Sequence, residues 1–204
     1  MDLTRGDFLR LGAAGAAAAA GSAIGASTAV AALPPAKPIG DDVGFLTFGV
    51  VAERTALTFY KEALTTPKLF DAADRRRFTQ ARDAKREHVQ RLNAALGADA
   101  VSADDYQVTF PKATFESRRN AVGLAVALEK LLVGVYVYGV SATADIGSRQ
   151  LIGRLLSVDS QVLATMHDMN GKAPIGGLPT PLDTEQAGDL LDRLLTIPGS
   201  PGGG

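Results

Sequence analysis

"VVAERTALTFYKEAL", residues 50–64, sets Glu53 in the middle of an apolar stripe. On a helix its neighbours three, four and seven positions away are Leu46, Gly49, Val50, Ala56, Leu57 and Tyr60, and none is charged. A carboxylate buried in such a setting is costly unless something pairs with it. Either the helix turns this stripe to water or Glu53 has a partner inside the protein. A second segment, "LEKLLVGVY" (128–136), repeats the pattern of "AERTALTFY" (52–60), so that Glu53 and Tyr60 correspond to Glu129 and Tyr136. Glu129 is flanked at helical spacing by Val122, Ala125, Val126, Leu132, Val133 and Tyr136. Aligning "KREHVQRL" (85–92) with "DSQVLATM" (159–166) sets Lys85 against Asp159 and His88 against Val162. Asp159 has only Ile152, Leu155, Leu156, Val162, Leu163 and Met166 around it. Three helices thus each carry one acid at the centre of an apolar face.

The helical periods extend from these segments in both directions. They predict helices over 41–66, 70–97, roughly 114–143 and 146–170, and a short one near 183–195. Asp71 stands near the second start, Gly97 and "NGK" mark two stops, and Asp183 or Thr184 caps the last helix. Residues 98–115 are irregular, and "DDYQVTFPKATF" reads as an extended crossover. The expected fold is all-α: a four-helix bundle over 39–172 with one long connection, then a Gly/Pro loop, short helix and tail over 173–204.

Composition narrows the chemistry. The 204 residues are 46% hydrophobic and 21% charged, as in globular proteins. A net charge of −1 offers no electrostatic case for nucleic acid or an acidic membrane surface. The absence of cysteine excludes disulfides, thiolate metal sites and a cysteine nucleophile, and His88 and His167 are the only histidines. Residues 1–38 carry a charged head, an Ala/Gly run, A-x-A-like sites near Ala29–Ala31 and a Pro-rich exit, the parts of an export signal. "TRGDFLR" resembles the twin-arginine pattern with Gly6 in place of the second arginine, leaving twin-arginine and general secretion open as routes. The other reading of this segment is an amphipathic or membrane-anchoring helix. No other stretch is expected to reach the ~18–20 apolar residues of a membrane span.

The helix order, the two Glu-x6-Tyr segments and the crossover "VTFPKATF" resemble the ferritin-like superfamily, in particular its exported, desiccation-related bacterial branch. The resemblance covers about residues 40–170. In di-iron members two helices each supply a Glu and two others each supply a Glu-x-x-His. Carried over, the resemblance implies Glu53 and Glu129 as the single glutamates, His88 as the first histidine and Asp159 as the second bridging carboxylate. Lys85 then stands at a glutamate position and Val162 at a histidine position. An ammonium is poorly placed in a dinuclear metal bridge, and Glu87, about 100° further round the helix, cannot substitute for it.

Two classes of function follow. In one, Lys85 folds inward among Glu53, Glu129 and Asp159, Tyr60 and Tyr136 hydrogen-bond the acids, and the protein is a non-catalytic structural or stress-associated module without a cofactor. In the other, Glu53, His88, Glu129 and Asp159 hold a single iron or manganese, or serve an oxidase. The apolar run "LLVGVYVYGV" (131–140) also suits a homo-oligomer. His167 is expected as a cationic helix C-cap, Met166 and Met169 as packing residues, and "DRRR" (74–77) as a solvated face. Substrate and physiological partner are not legible.

Overall fold

The computed structural model describes residues 35–103, 107–174 and 176–194. The export signal expected over 1–38 lies outside the described residues except for its last four positions. Among the described residues there are five α-helices and no β-strand: α1 (Asp41–Thr65), α2 (Ala72–Leu96), α3 (Arg118–Ala142), α4 (Ile146–Met169) and α5 (Thr184–Leu194). Short turns make α1–α2 and α3–α4 into two helical hairpins. They pack together, α1 on α3 and α2 on α4.

Local chemistry fixes the helix ends. Asp71, Ser117 and Asp145 cap α2, α3 and α4 by accepting from Asp74 N (2.8 Å), Asn120 N (3.1 Å) and Ser148 N (2.7 Å). Asp183, not Thr184, caps α5: its carboxylate accepts from Gln186 N at 2.8 Å, and the Gln186 side chain accepts from Asp183 N at 3.3 Å. Gly97 ends α2 with φ of 60°, a left-handed conformation that suits glycine. Helix α3 begins at Arg118 rather than near 114 because Lys112–Phe115 winds as a 3₁₀ turn before the Ser117 cap.

The crossover is held by aromatic packing. Phe110 and Phe115 lie 5.8 and 5.9 Å from the Phe59 ring on α1, which accounts for the spacing in "VTFPKATF". Its start is tied down by Arg54, which donates to Val101 O at 2.8 Å and to Ser102 O. Its far end is tied by Arg118, which donates to Asp74 at 2.5 and 3.2 Å and to Met169 O at 3.0 Å. Asp74 is therefore buried and paired, against the expectation that all of "DRRR" is solvated; Arg75 and Arg76 are exposed, and Arg77 reaches Asp168 at 3.2 Å.

One finding corrects the reading of α3. With a mean hydropathy of 1.7 it is long and apolar enough to span a bilayer, contrary to the expectation that no stretch beyond the leader is, although 67% of its most apolar window is buried inside the chain. Part of the apolar run over 131–140 packs against α5 and the segment leading into it, while Tyr138 is exposed. Leu182 N–H donates to Gly134 O at 3.0 Å, and Ala187 and Leu191 of α5 are buried. At Gly139, a Cβ would stand 2.2 Å from the Phe45 ring, so α1 and α3 approach there only because the side chain is missing. Gly139→Ala should destabilise the bundle by about 1–3 kcal/mol in urea denaturation, through forced movement of Phe45.

Candidate functional site

Each hairpin supplies an acid from its first helix, Glu53 on α1 and Glu129 on α3. Between them stand Lys85 and His88 from α2 and Asp159 from α4. Glu53, Lys85, Glu129 and Asp159 are fully buried and His88 is 2% exposed. None faces water, so every charge must be answered locally.

Lys85 Nζ lies at the centre. It donates to Asp159 Oδ1 at 2.6 Å and Glu129 Oε2 at 2.8 Å, and stands 3.5 Å from Glu53 Oε2. His88 Nδ1 is 2.9 Å from Glu53 Oε1 and 3.3 Å from Asp159 Oδ1. Both neighbours are carboxylate oxygens, so Nδ1 carries the hydrogen. The tyrosines cross the repeat: Tyr60 OH donates to Glu129 Oε1 at 2.7 Å and Tyr136 OH to Glu53 Oε1 at 2.8 Å. Each Glu-x6-Tyr helix therefore serves the acid of the other, not its own. Glu53 Oε2 and Asp159 Oδ2 are buried with no hydrogen-bond partner.

The electrostatics follow from this packing. Burial pushes the Lys85 ammonium down, but Asp159, Glu129 and Glu53 together hold it above the ordinary lysine range. Burial likewise opposes the His88 cation, and Glu53 and Asp159 overcome it, raising the imidazole from 6.5 to about 10. For Glu53, burial works upward, but Lys85 and His88 outweigh it and hold the carboxyl low. Burial raises Glu129, and burial with the charge of Glu53 raises Asp159. The two tyrosines are pushed well up by burial and the adjacent glutamates, so they remain neutral donors.

A family model described as a ferritin-like domain matches residues 41–172. The chain belongs to the ferritin-like family. A comparison with curated proteins finds no match. The ferritin-like frame implies a dinuclear metal centre, and the residues present do not fit one. The Lys85 position contributes a positive charge in place of a bridging carboxylate, its Nζ already held by the three acids, and Val162 offers no donor. A single cation has more to bind: Glu53, His88 and Asp159 each offer a ligand atom, all within 4.8 Å of one another. Glu53 Oε2 and Asp159 Oδ2 accept no hydrogen bond, but Glu53 Oε2 faces Lys85 at 3.5 Å, and a cation would have to compete with Lys85 and with the proton on His88 Nδ1.

The other candidates lie apart from this cluster. Glu87 is exposed and pairs with Arg91 at 2.9 and 2.5 Å. Met166 and Met169 are buried in the core. At the α4 end, burial, Lys130 and Lys172 lower the pKa of His167, which works against the cationic cap expected there. Sequence reasoning missed the crossed partners of the tyrosines, since helix spacing reports faces and not which helix stands opposite.

Two measurements follow. Lys85→Met should cost ~3–5 kcal/mol in chemical denaturation by leaving buried acids unpaired, and adding Asp159→Leu should recover part of that loss. His88, raised in the folded state, contributes stability that is fully present below pH 6.5 and is lost as pH rises through about 10. Stability should therefore fall across that window, and His88→Gln should flatten the slope.

Proposed function

We propose that this protein is an exported ferritin-like bundle in which an internal lysine does the work of the family's metals. It serves as a non-catalytic structural or stress-associated module outside the cytoplasm. One observation carries the reading: Lys85 Nζ stands 2.6, 2.8 and 3.5 Å from three buried carboxylates. Metal ions in such a bundle neutralise inward carboxylates. Here two cations already do so, and Lys85 is fully buried. The leader-like composition of residues 1–38 supports export, by the twin-arginine or the general route, and the lack of cysteine leaves the bundle with no disulfide chemistry.

A second reading is a single iron or manganese bound for storage or oxidation. It is favoured by the Glu53, His88 and Asp159 group and by Glu53 Oε2 and Asp159 Oδ2, which accept no hydrogen bond. Glu129 would then anchor Lys85 away from the ion. Elemental analysis of protein from its native host separates the readings. The first expects no stoichiometric iron or manganese and no oxygen uptake on adding ferrous ion. One metal per chain, lost in Glu53→Ala and His88→Ala, would favour the second, and two per chain would refute both. Lys85→Glu combined with Val162→His restores the missing ligand types and should bind metal that the parent does not.

A further inference from the structure

The start of α1, the end of α3 and the start of α5 enclose a cleft of about 530 Å³ that shares no residue with the lysine cluster. Its floor is bare, since a Cβ at Gly40 or Gly44 would meet no neighbour within 4 Å. Asp41 and Asp42 line it, and no lysine, arginine or histidine does. Tyr138 and Phe45 line it as well. Tyr138 is 37% exposed, and no other aromatic ring among the described residues is exposed. We propose that this cleft binds a small primary alkylammonium ion, its charged head on Asp41 and the end of α3, its alkyl stem against the two rings.

The end of α3 is short of donors. Thr143 closes the helix on a single acceptor, its N–H and its hydroxyl both donating to Gly139 O at 3.0 and 2.6 Å. The next two N–H groups, of Ala144 and Asp145, donate to the Asp42 carboxylate at 2.9 and 2.8 Å. The carbonyls of Val140, Ser141 and Ala142 are left with no donor among the described residues. They form the negative end of the α3 dipole, and its last turn holds no basic residue. Arg149 of α4 goes to Thr143 O instead, at 3.1 and 2.6 Å. Across the cleft, Asp41 and Asp42 occupy the first turn of α1, where they offset the positive end of that helix. Asp42 is buried and engaged, whereas Asp41 is exposed and has no ion pair or hydrogen bond among the described residues.

These features select one kind of ligand. An ammonium head has three N–H donors and no acceptor, which matches a free carboxylate and a row of carbonyl oxygens with no competing protein cation. Aromatic faces attract a cation, and the Tyr138 and Phe45 rings also cover an apolar stem. An anion would meet only acceptors here, and a neutral chain would leave Asp41 unanswered. The volume lies in the range of roughly 300–1,000 Å³ that encloses small ligands. A free alkylamine and a lysine side chain share the chemistry.

Equilibrium dialysis of the full chain against pentylammonium, pentan-1-ol and Nα-acetyl-lysine amide tests this. Pentylammonium should bind at one per chain, and pentan-1-ol, which lacks the charge, should not. Binding of the lysine amide as well would support a site for lysine side chains, and its failure to bind would support a free amine. Asp41→Asn and Tyr138→Ala should each weaken pentylammonium binding by roughly tenfold, and Tyr138→Phe should stay within about threefold of the parent. Both side chains are exposed, so the variants should keep the parent's circular dichroism. No binding of pentylammonium, equal binding of pentan-1-ol, or parental affinity in both Asp41→Asn and Tyr138→Ala would overturn the proposal. None of these readouts depends on the metal content of the lysine cluster.

Discussion

The Lys85 ammonium, held among Asp159, Glu129 and Glu53, is the interaction on which the interior depends. Three carboxylates in a dry core repel one another and each resists ionisation. Two cations, Lys85 and His88, offset most of that charge, and two tyrosine hydroxyls complete the glutamates. Removing any single member leaves a buried charge without its partner, which is why the cluster acts as one unit. It also joins all four bundle helices at one level, giving the two hairpins a polar register inside an otherwise apolar core.

The bundle is a broken repeat. Glu53 with Tyr60 and Glu129 with Tyr136 still obey it, and their hydrogen bonds cross between halves at 2.7 and 2.8 Å. Lys85 opposite Asp159 and His88 opposite Val162 do not. These two departures make the halves electrostatically unlike: Glu53 sits beside both cations and is held low, whereas Glu129, with Lys85 alone, is left high. A ferritin-like frame with symmetric ligands would place equal charge in each half. The asymmetry follows from Lys85 and Val162 standing where the repeat would set an acid and a histidine.

The parts legible in the sequence are those with a local signature. A charge that interrupts a 3.6-residue apolar stripe betrays an inward acid, so Glu53, Glu129 and Asp159 could be found, and the repeat pointed to Lys85 and His88. The caps Asp71 and Gly97 are equally local. What escaped is tertiary. Asp74 looked like part of a basic surface run until Arg118, from another helix, turned it into a buried partner. His167 looked cationic from its helix end, but its burial and the approach of Lys130 from α3, which lower its pKa, arise only in the folded chain. The covering of α3 by α5 was hidden because Gly134, where Leu182 bonds the helix backbone, carries no pattern of its own.

The most direct test of the account is anomalous diffraction from crystals grown with iron or manganese in excess. Recorded at the metal edge, the map should contain no peak inside the cluster, and the Lys85 nitrogen should occupy the space between Asp159 and Glu129. A peak bounded by Glu53, His88 and Asp159, with the Lys85 side chain displaced, would contradict it.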